Sequence, residues 1–216
     1  TYPNMMTREG VRGMEWNAWS RGNPPEHTVN LAFTRMLAGP LDYTPGIFDL
    51  DFSTVGDDYR HWNAIDGLET TGRMHSTLSR QLALFVVLYS PIQMASDLIE
   101  NYDHPAFAFL REVPVNWDET RVLTGAIGDQ VTIARRQGVH WYIGSITDEQ
   151  ARSLSIKLDF LEPGKTYQAT VYRDSDQTAK NPEAYQIDQL EVKTGQTLKL
   201  ELAPAGGQAI AIHPVD

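Results

Sequence analysis

The hydrophobic pattern of this chain changes period near Pro114, and that change constrains the fold more than any other feature. Before it, apolar residues recur at the spacing of amphipathic helices, with short apolar segments between them. After it, apolar and polar residues alternate with the period of two that is typical of strands. We therefore predict two domains, residues 1–113 and 114–216.

The first domain alternates predicted helices with strand-like segments. Its middle helix contains the run 82–88, which is apolar on every side and should be buried all round. The order of elements predicts a parallel α/β arrangement. Three such units cannot cover both faces of a parallel sheet, so the arrangement looks incomplete. One predicted helix begins at Pro24, and two others span 71–89 and 105–111. The predicted strands are 41–44 and 92–95, and residues 47–70 are predicted to be a functional loop.

The second domain contains short alternating segments separated by turn signals such as Gly128-Asp129, Pro163-Gly164 and Gly206-Gly207. Strands this short and this regularly interrupted indicate an antiparallel sandwich or barrel. The predicted strands are 130–135, 139–146, 154–160, 166–172, 186–192, 197–202 and 208–212.

Composition excludes several classes of function. The absence of cysteine rules out disulfides, thiolate metal sites and a cysteine nucleophile. A formal net charge of −10 argues against nonspecific binding to nucleic acid or to an anionic membrane. No apolar run approaches the roughly 20 residues of a membrane span. Because the chain opens with Thr1 rather than Met, we expect a processed product or a piece of a longer protein.

Two carboxylates, Glu9 and Glu15, flank Gly10 and Gly13 near the start of the chain. On its own this pattern favours a solvated loop over a catalytic site. Hydrolysis of a glycoside requires one protonated carboxyl at the leaving oxygen and a second carboxylate. A calcium ion selects several hard oxygen ligands, which converging carboxylates provide.

Aromatic and histidine side chains near these acids are candidates for contacts with a sugar. Trp16 and Trp62 could stack on sugar faces or belong to the core, and His61 beside Trp62 could touch a substrate. His27 lies at a helix start, where capping or packing is the simpler role. No HxH or HExxH spacing indicates a transition-metal site. Further aromatic candidates are Trp19, Tyr43 and Tyr59.

A series of longer motifs in the chain resembles the motifs of a known enzyme family. The chain resembles glycoside hydrolase family 97, strongly to about residue 97 and more loosely afterwards. The motifs are TYPNMMTREGVRGME at 1–15, NPPEHT at 23–28, FTRMLAGP at 33–40, DYTPG at 42–46 and YSPIQM at 89–94.

The resemblance implies an exo-acting α-glucosidase or α-galactosidase that hydrolyses terminal α-linked sugars of oligosaccharides, requires calcium and resides in the periplasm. Residues 1–113 would form the last part of a (β/α)8 TIM barrel, and 114–216 a C-terminal antiparallel β-sandwich. Glu15 matches the general acid, Glu9 matches a calcium ligand, and Glu15 would also lie near the calcium. The remaining ligands and the second catalytic carboxylate would precede Thr1. Retention or inversion therefore cannot be read here, and the isolated chain should be inactive.

The alternative is a non-catalytic role, in which the β domain binds carbohydrate or serves only as structure. Exposed aromatic rings would support sugar binding, although Trp141 and Tyr142 are adjacent and must point to opposite faces of a strand. A partial barrel also exposes apolar surface, so we expect association with the missing N-terminal part or with a second copy. The aromatic candidates are Trp141, Tyr142, Tyr167, Tyr172 and Tyr185.

Overall fold

The computed structural model of the protein describes residues 5–18, 22–50 and 74–215. Among these residues, three α-helices precede the strands: α1 (Pro25–Phe33), α2 (Leu78–Val87) and α3 (Phe107–Glu112). Short 3-10 helices span Met14–Ala18, Arg35–Ala38 and Ile99–Tyr102.

Eight strands form the second part of the chain. Six of them build one antiparallel sheet in the order β1-β2-β3-β8-β5-β6, while β4 and β7 pair in a separate two-stranded sheet. The strands are β1 (Glu119–Ala126), β2 (Gln130–Gln137), β3 (His140–Thr147), β4 (Arg152–Lys157), β5 (Thr166–Asp174), β6 (Tyr185–Lys193), β7 (Thr197–Leu202) and β8 (Gly207–Pro214).

The six-stranded sheet is covered on both faces at its centre. Trp141 and Ile143 of β3 point toward the small sheet, where they join Ile156 of β4 and Leu200 of β7 in one core. Tyr142 belongs to the other core, on the face that carries the helices. The two faces are thus buried by different partners, a β layer on one side and α2 on the other.

Helix α2 lies across β3 and β8. All ten of its residues are buried, which confirms the prediction of an element packed on every side. Two glycines allow this close approach, because a Cβ on Gly144 would lie 2.5 Å from the Ala83 carbonyl oxygen and one on Gly207 would lie 2.6 Å from the Arg80 Cα. Among the described residues, no helix has the length and apolar character that crossing a membrane would require.

A buried guanidinium fastens α2 to its neighbours. Arg80 donates hydrogen bonds to the carbonyl oxygens of Thr147 and Pro25 and to the Thr28 hydroxyl oxygen, the last at 2.6 Å. Burial lowers the pKa of Arg80 to about 10, so the side chain stays charged at neutral pH. The nearby Asp174 carboxyl is also buried, which raises its pKa to about 6.

All seven predicted strands are confirmed, within a few residues at their ends. The eighth, β1, was missed because it is an edge strand with little buried surface and weak alternation. Two of the predicted glycine turns have positive φ at Gly128 and Gly164, whereas at Gly206-Gly207 the positive φ lies on the preceding Ala205. The antiparallel β part of the fold class is therefore confirmed.

The two strands predicted in the first part are wrong. Segment 41–44 contributes only an isolated parallel bridge between Arg8 and Leu41. Segment 92–95 forms no strand, because the Ser90 hydroxyl donates to the Ile92 carbonyl oxygen and accepts from the Ile92 N–H, a local turn that competes with a ladder.

The predicted helices are found, with shifted limits. Helix α1 ends at Phe33, and the following Leu37 lies in a 3-10 turn and is 82% exposed. Helix α2 begins at Leu78 rather than near 71, and residues 51–73 of the predicted loop and helix start lie outside the described residues.

The close contact between α2 and the sheet gives a stability prediction. Gly144→Ala should lower the free energy of unfolding by about 1–3 kcal/mol, since the new Cβ meets the backbone of α2, which cannot move aside cheaply. Gly125→Ala is the control, because its Cβ would come close only to the side chain of Phe33, with the Gln130 carbonyl oxygen at an ordinary contact distance of 3.8 Å, and should cost less. Urea unfolding of both variants measures the difference, and equal losses would contradict the prediction.

Candidate active site

The segment that carries Glu9 is held in place by hydrogen bonds to a second extended segment. The Asp42 N–H donates to the Arg8 carbonyl oxygen at 3.1 Å, and the Met14 N–H donates to the Tyr43 carbonyl oxygen at 3.2 Å. Residues 8–14 therefore run alongside residues 41–43. Glu9 and Glu15, both exposed, lie at this seam.

The carboxyl groups of Glu9 and Glu15 converge above Gly13. A Cβ on Gly13 would lie 2.6 and 2.7 Å from the two Glu15 oxygens and 2.7 Å from Glu9 Oε1. A hydrogen bond with Glu15 is the main cause of a raised pKa at Glu9, followed by partial burial and by the negative charge of Glu15. The pair is thus arranged to share a proton or a cation, and only glycine leaves room for it.

Arg35 fixes the backbone that carries Glu9. Its Nε donates to the Glu9 carbonyl oxygen at 2.9 Å, and its Nη2 donates to the Arg8 carbonyl oxygen at 2.6 Å. The same guanidinium also donates to the carbonyl oxygens of Gly39 and Pro40. One side chain therefore ties the Glu9 segment to the loop that follows α1.

Two buried asparagines fix the backbone that carries Glu15. Asn23 Nδ2 donates to the Gly13 carbonyl oxygen at 2.8 Å, and Asn17 Nδ2 donates to the Met14 carbonyl oxygen at 2.7 Å. Asn17 Oδ1 in turn accepts from the Asn23 N–H at 3.0 Å. These bonds set the direction in which the 3-10 turn projects Glu15.

His27 extends the same support from α1. Its Nε2 lies 2.9 Å from the Arg12 carbonyl oxygen, which makes Nε2 the protonated nitrogen. Burial lowers the pKa of His27, which favours the neutral ring. Of the structural roles expected for His27, capping of α1 is not observed, and the ring instead supports the backbone beside the acid pair.

Thr44 reaches Glu15 from the opposite segment. Its hydroxyl lies 3.4 Å from Glu15 Oε2 and 2.7 Å from the Tyr43 carbonyl oxygen. The backbone of Thr44 has φ of 58°, a left-handed conformation that costs a β-branched residue about 1–3 kcal/mol. Strain of this kind is characteristic of functional sites.

Comparison with known proteins now identifies the family. A family model described as "Glycosyl-hydrolase 97 C-terminal, oligomerisation" matches residues 116–213. A retaining alpha-galactosidase of Bacteroides thetaiotaomicron is 36% identical over 216 residues, covering 98% of this chain and 31% of that protein. The chain belongs to glycoside hydrolase family 97.

Solved structures agree with this assignment. A family 97 enzyme from Pseudoalteromonas sp. strain K8 in complex with panose has a TM-score of 0.89 at 46% identity, over 100% of this chain and 33% of that one. The same enzyme in complex with acarbose gives 0.89 at 47% identity, with the same coverage. This family 97 chain therefore spans about a third of the length of the relatives it matches.

The other residues predicted to contact a sugar differ in their exposure and location. Trp16 follows Glu15 in the 3-10 turn and is partly exposed. Tyr43 is 3% exposed and belongs to the core, so it does not stack on a sugar. The candidates His61 and Trp62, with Trp19 and Tyr59, lie outside the described residues.

The acid pair has the donor chemistry that a calcium site would use. Carboxylate oxygens are ligands that calcium prefers, and a cation between Glu9 and Glu15 would relieve the repulsion that raises the pKa of Glu9. Within 5–18, 22–50 and 74–215, no three acidic, histidine or cysteine side chains are grouped to hold a metal ion. The pair fits calcium as two ligands of a larger set.

The aromatic residues considered for sugar binding in the β domain are mostly core residues. Trp141, Tyr142, Tyr167 and Tyr172 are each 4% exposed or less, so the expected exposed face is wrong for these four. The opposite orientations of Trp141 and Tyr142 are confirmed, because the two rings belong to different cores. Tyr185 is partly exposed and lies 5.2 Å from the His104 ring.

The coupling between the two acids can be tested by titration. Glu15→Gln should lower the pKa of Glu9, because it removes the negative charge of Glu15 and supplies an amide that can donate to the Glu9 carboxylate. Asp42→Asn should lower it less, since the charge of Asp42 is the weakest of the causes that raise it. Carbon-detected NMR of the glutamate carboxyls, in calcium-free buffer, measures both. An unchanged Glu9 in the first variant would contradict the proposed pairing.

Proposed function

We propose that this chain carries the general acid of a calcium-dependent, exo-acting α-glycosidase, with Glu15 as the proton donor. The observation that supports it is the convergence of Glu9 and Glu15 on an exposed seam. Family membership supplies the reaction class, hydrolysis of a glycosidic bond.

The roles of the two acids follow from their surroundings. In its protonated form, Glu15 would donate to the glycosidic oxygen as the bond breaks, and the Thr44 hydroxyl would orient its carboxyl group. Glu9, held by Arg35 through its backbone, would serve as a calcium ligand. When bound there, calcium would supply positive charge that stabilises the crowded carboxylates.

The second carboxylate of the mechanism belongs to the part of the relatives that this chain does not span. In this proposal residues 1–113 are the last part of a (β/α)8 barrel, and 114–216 form the C-terminal β domain. Hydrolysis then requires the rest of the barrel, so the isolated chain should be inactive. We also propose that the complete protein resides in the periplasm, as the family resemblance implies.

For the substrate, we favour terminal α-glucosides over α-galactosides. The structure with 46% identity was solved with panose, an oligosaccharide of α-linked glucose, whereas the relative named as an alpha-galactosidase is 36% identical. Assays of the complete enzyme on both an α-glucoside and an α-galactoside test this preference.

The two parts of the chain would have different partners. Several apolar side chains of the first part are exposed, and we propose that the missing part of the barrel covers them. The β domain would instead join copies of the protein, as the description of its matching family model indicates. The exposed side chains are Met5, Met6, Leu37, Ile92, Met94, Leu98 and Ile99.

The acid role of Glu15 can be separated from a merely structural one in the complete protein. Glu15→Gln should lower kcat/KM for panose by about 10²–10⁴-fold, because the sugar leaving group needs a proton. The loss should be much smaller for a dinitrophenyl α-glucoside, whose leaving group departs without one. The exposed helix acid Glu26 gives the control, since Glu26→Gln should change neither rate. Equal losses on both substrates would exclude Glu15 as the acid.

A further inference from the structure

The two ends of the six-stranded sheet are built differently. At one end, β1 is interrupted by a register shift between Val122 and Thr124, and its Glu119 forms ion pairs with Arg121 and Arg136. Bulges and charges of this kind protect an edge strand from pairing with another chain.

At the other end, β6 also carries charged side chains, Asp188, Glu191 and Lys193, but it has no bulge. All nine residues of Tyr185–Lys193 pair with Thr166–Asp174 of β5 in one unbroken register. The outer side of β6 has no strand partner within the described residues, and the strand contains no proline. A straight edge of this length offers a row of backbone donors and acceptors to a second strand.

The side chains of β6 also suit contact with an identical strand. Ile187 and Leu190 are 38% and 40% exposed and, being separated by an odd number of positions, lie on opposite faces of the sheet. The charges are neutralised locally, since Asp188 pairs with Arg173 and Glu191 pairs with Lys193. These ion pairs reduce the repulsion at this edge between two copies of a chain whose net charge is −10.

Neutral polar groups complete this surface. Gln189 exchanges hydrogen bonds with Thr170 and accepts one from Gln168, all on one face of β5 and β6. The edges of the small sheet are less suitable, because β4 and β7 have only six residues each and β7 projects Lys199 and Glu201 into solvent.

We propose that two copies of this chain associate through β6, whose antiparallel pairing across a two-fold axis joins the two six-stranded sheets into one. This inference rests on the proposed assembly role of the β domain and specifies which surface performs it. Each copy contributes the same strand, as a two-fold interface requires, and Ile187 and Leu190 become buried on the two faces of the joined sheet.

The oligomeric state of the full 216-residue chain tests the proposal. Sedimentation should give a dimer for the unmodified chain and a monomer for Ile187→Lys/Leu190→Lys. Val122→Lys, a change at a more exposed position (64%) on the β1 edge, should leave the dimer intact. A monomeric unmodified chain would overturn both the assembly role and this interface. A dimer that survives the double change, or dissociates with Val122→Lys, would overturn the interface alone.

Single-cysteine variants give a second measurement that does not depend on breaking the dimer. Because the chain has no cysteine, Ile187→Cys, Gln189→Cys and Glu191→Cys can each be oxidised without competing thiols. At least one should form a disulfide-linked dimer rapidly, whereas Val122→Cys should not. Rapid linkage only at Val122, or equal linkage everywhere, would contradict pairing through β6.

Discussion

The contact between α2 and the six-stranded sheet is the interaction on which the rest of this structure depends. The helix backbone can approach β3 and β8 because Gly144 and Gly207 have no side chains to separate the layers. The buried Arg80 then joins α2 to β3 and α1 through backbone carbonyl groups. Since a buried cation without these partners would be costly, the three elements are committed to one arrangement.

Two sets of hydrogen bonds connect α2 to the segments that carry the acid pair. Gln81 Oε1 accepts hydrogen bonds from the N–H groups of Gly46 and Ile47, which fixes the loop that follows Thr44. On the other side, Arg80 holds the start of α1, and Asn23 immediately before that helix holds the Gly13 carbonyl. A loop-borne, exposed pair of carboxylates thereby acquires a rigid support from the core.

This support explains why the candidate site can contain strain and like charges. Two carboxyl groups above one glycine and a threonine with positive φ are each unfavourable in isolation. They persist because the backbone on both sides is fixed by Arg35, Asn17 and Asn23. The β domain contributes through the sheet that α2 packs on, and its four buried aromatic rings fill the two cores on either side of that sheet.

Features that depend on local pattern can be read from the amino-acid sequence alone. Alternation and glycine turns located seven strands, the apolar run 82–88 gave a helix buried all round, and the motifs around Glu9 and Glu15 indicated the family. These signals are readable because side-chain periodicity and positive φ are properties of neighbouring residues.

Only the tertiary structure decided which distant groups meet. It left 92–95 without a ladder, made β1 an edge strand, and placed Arg35 and Thr44 beside acids 26 and 29 positions away in the sequence. Nothing in a local pattern specifies those contacts, because they depend on how two extended segments are brought together by a helix and a sheet that follow them in the chain.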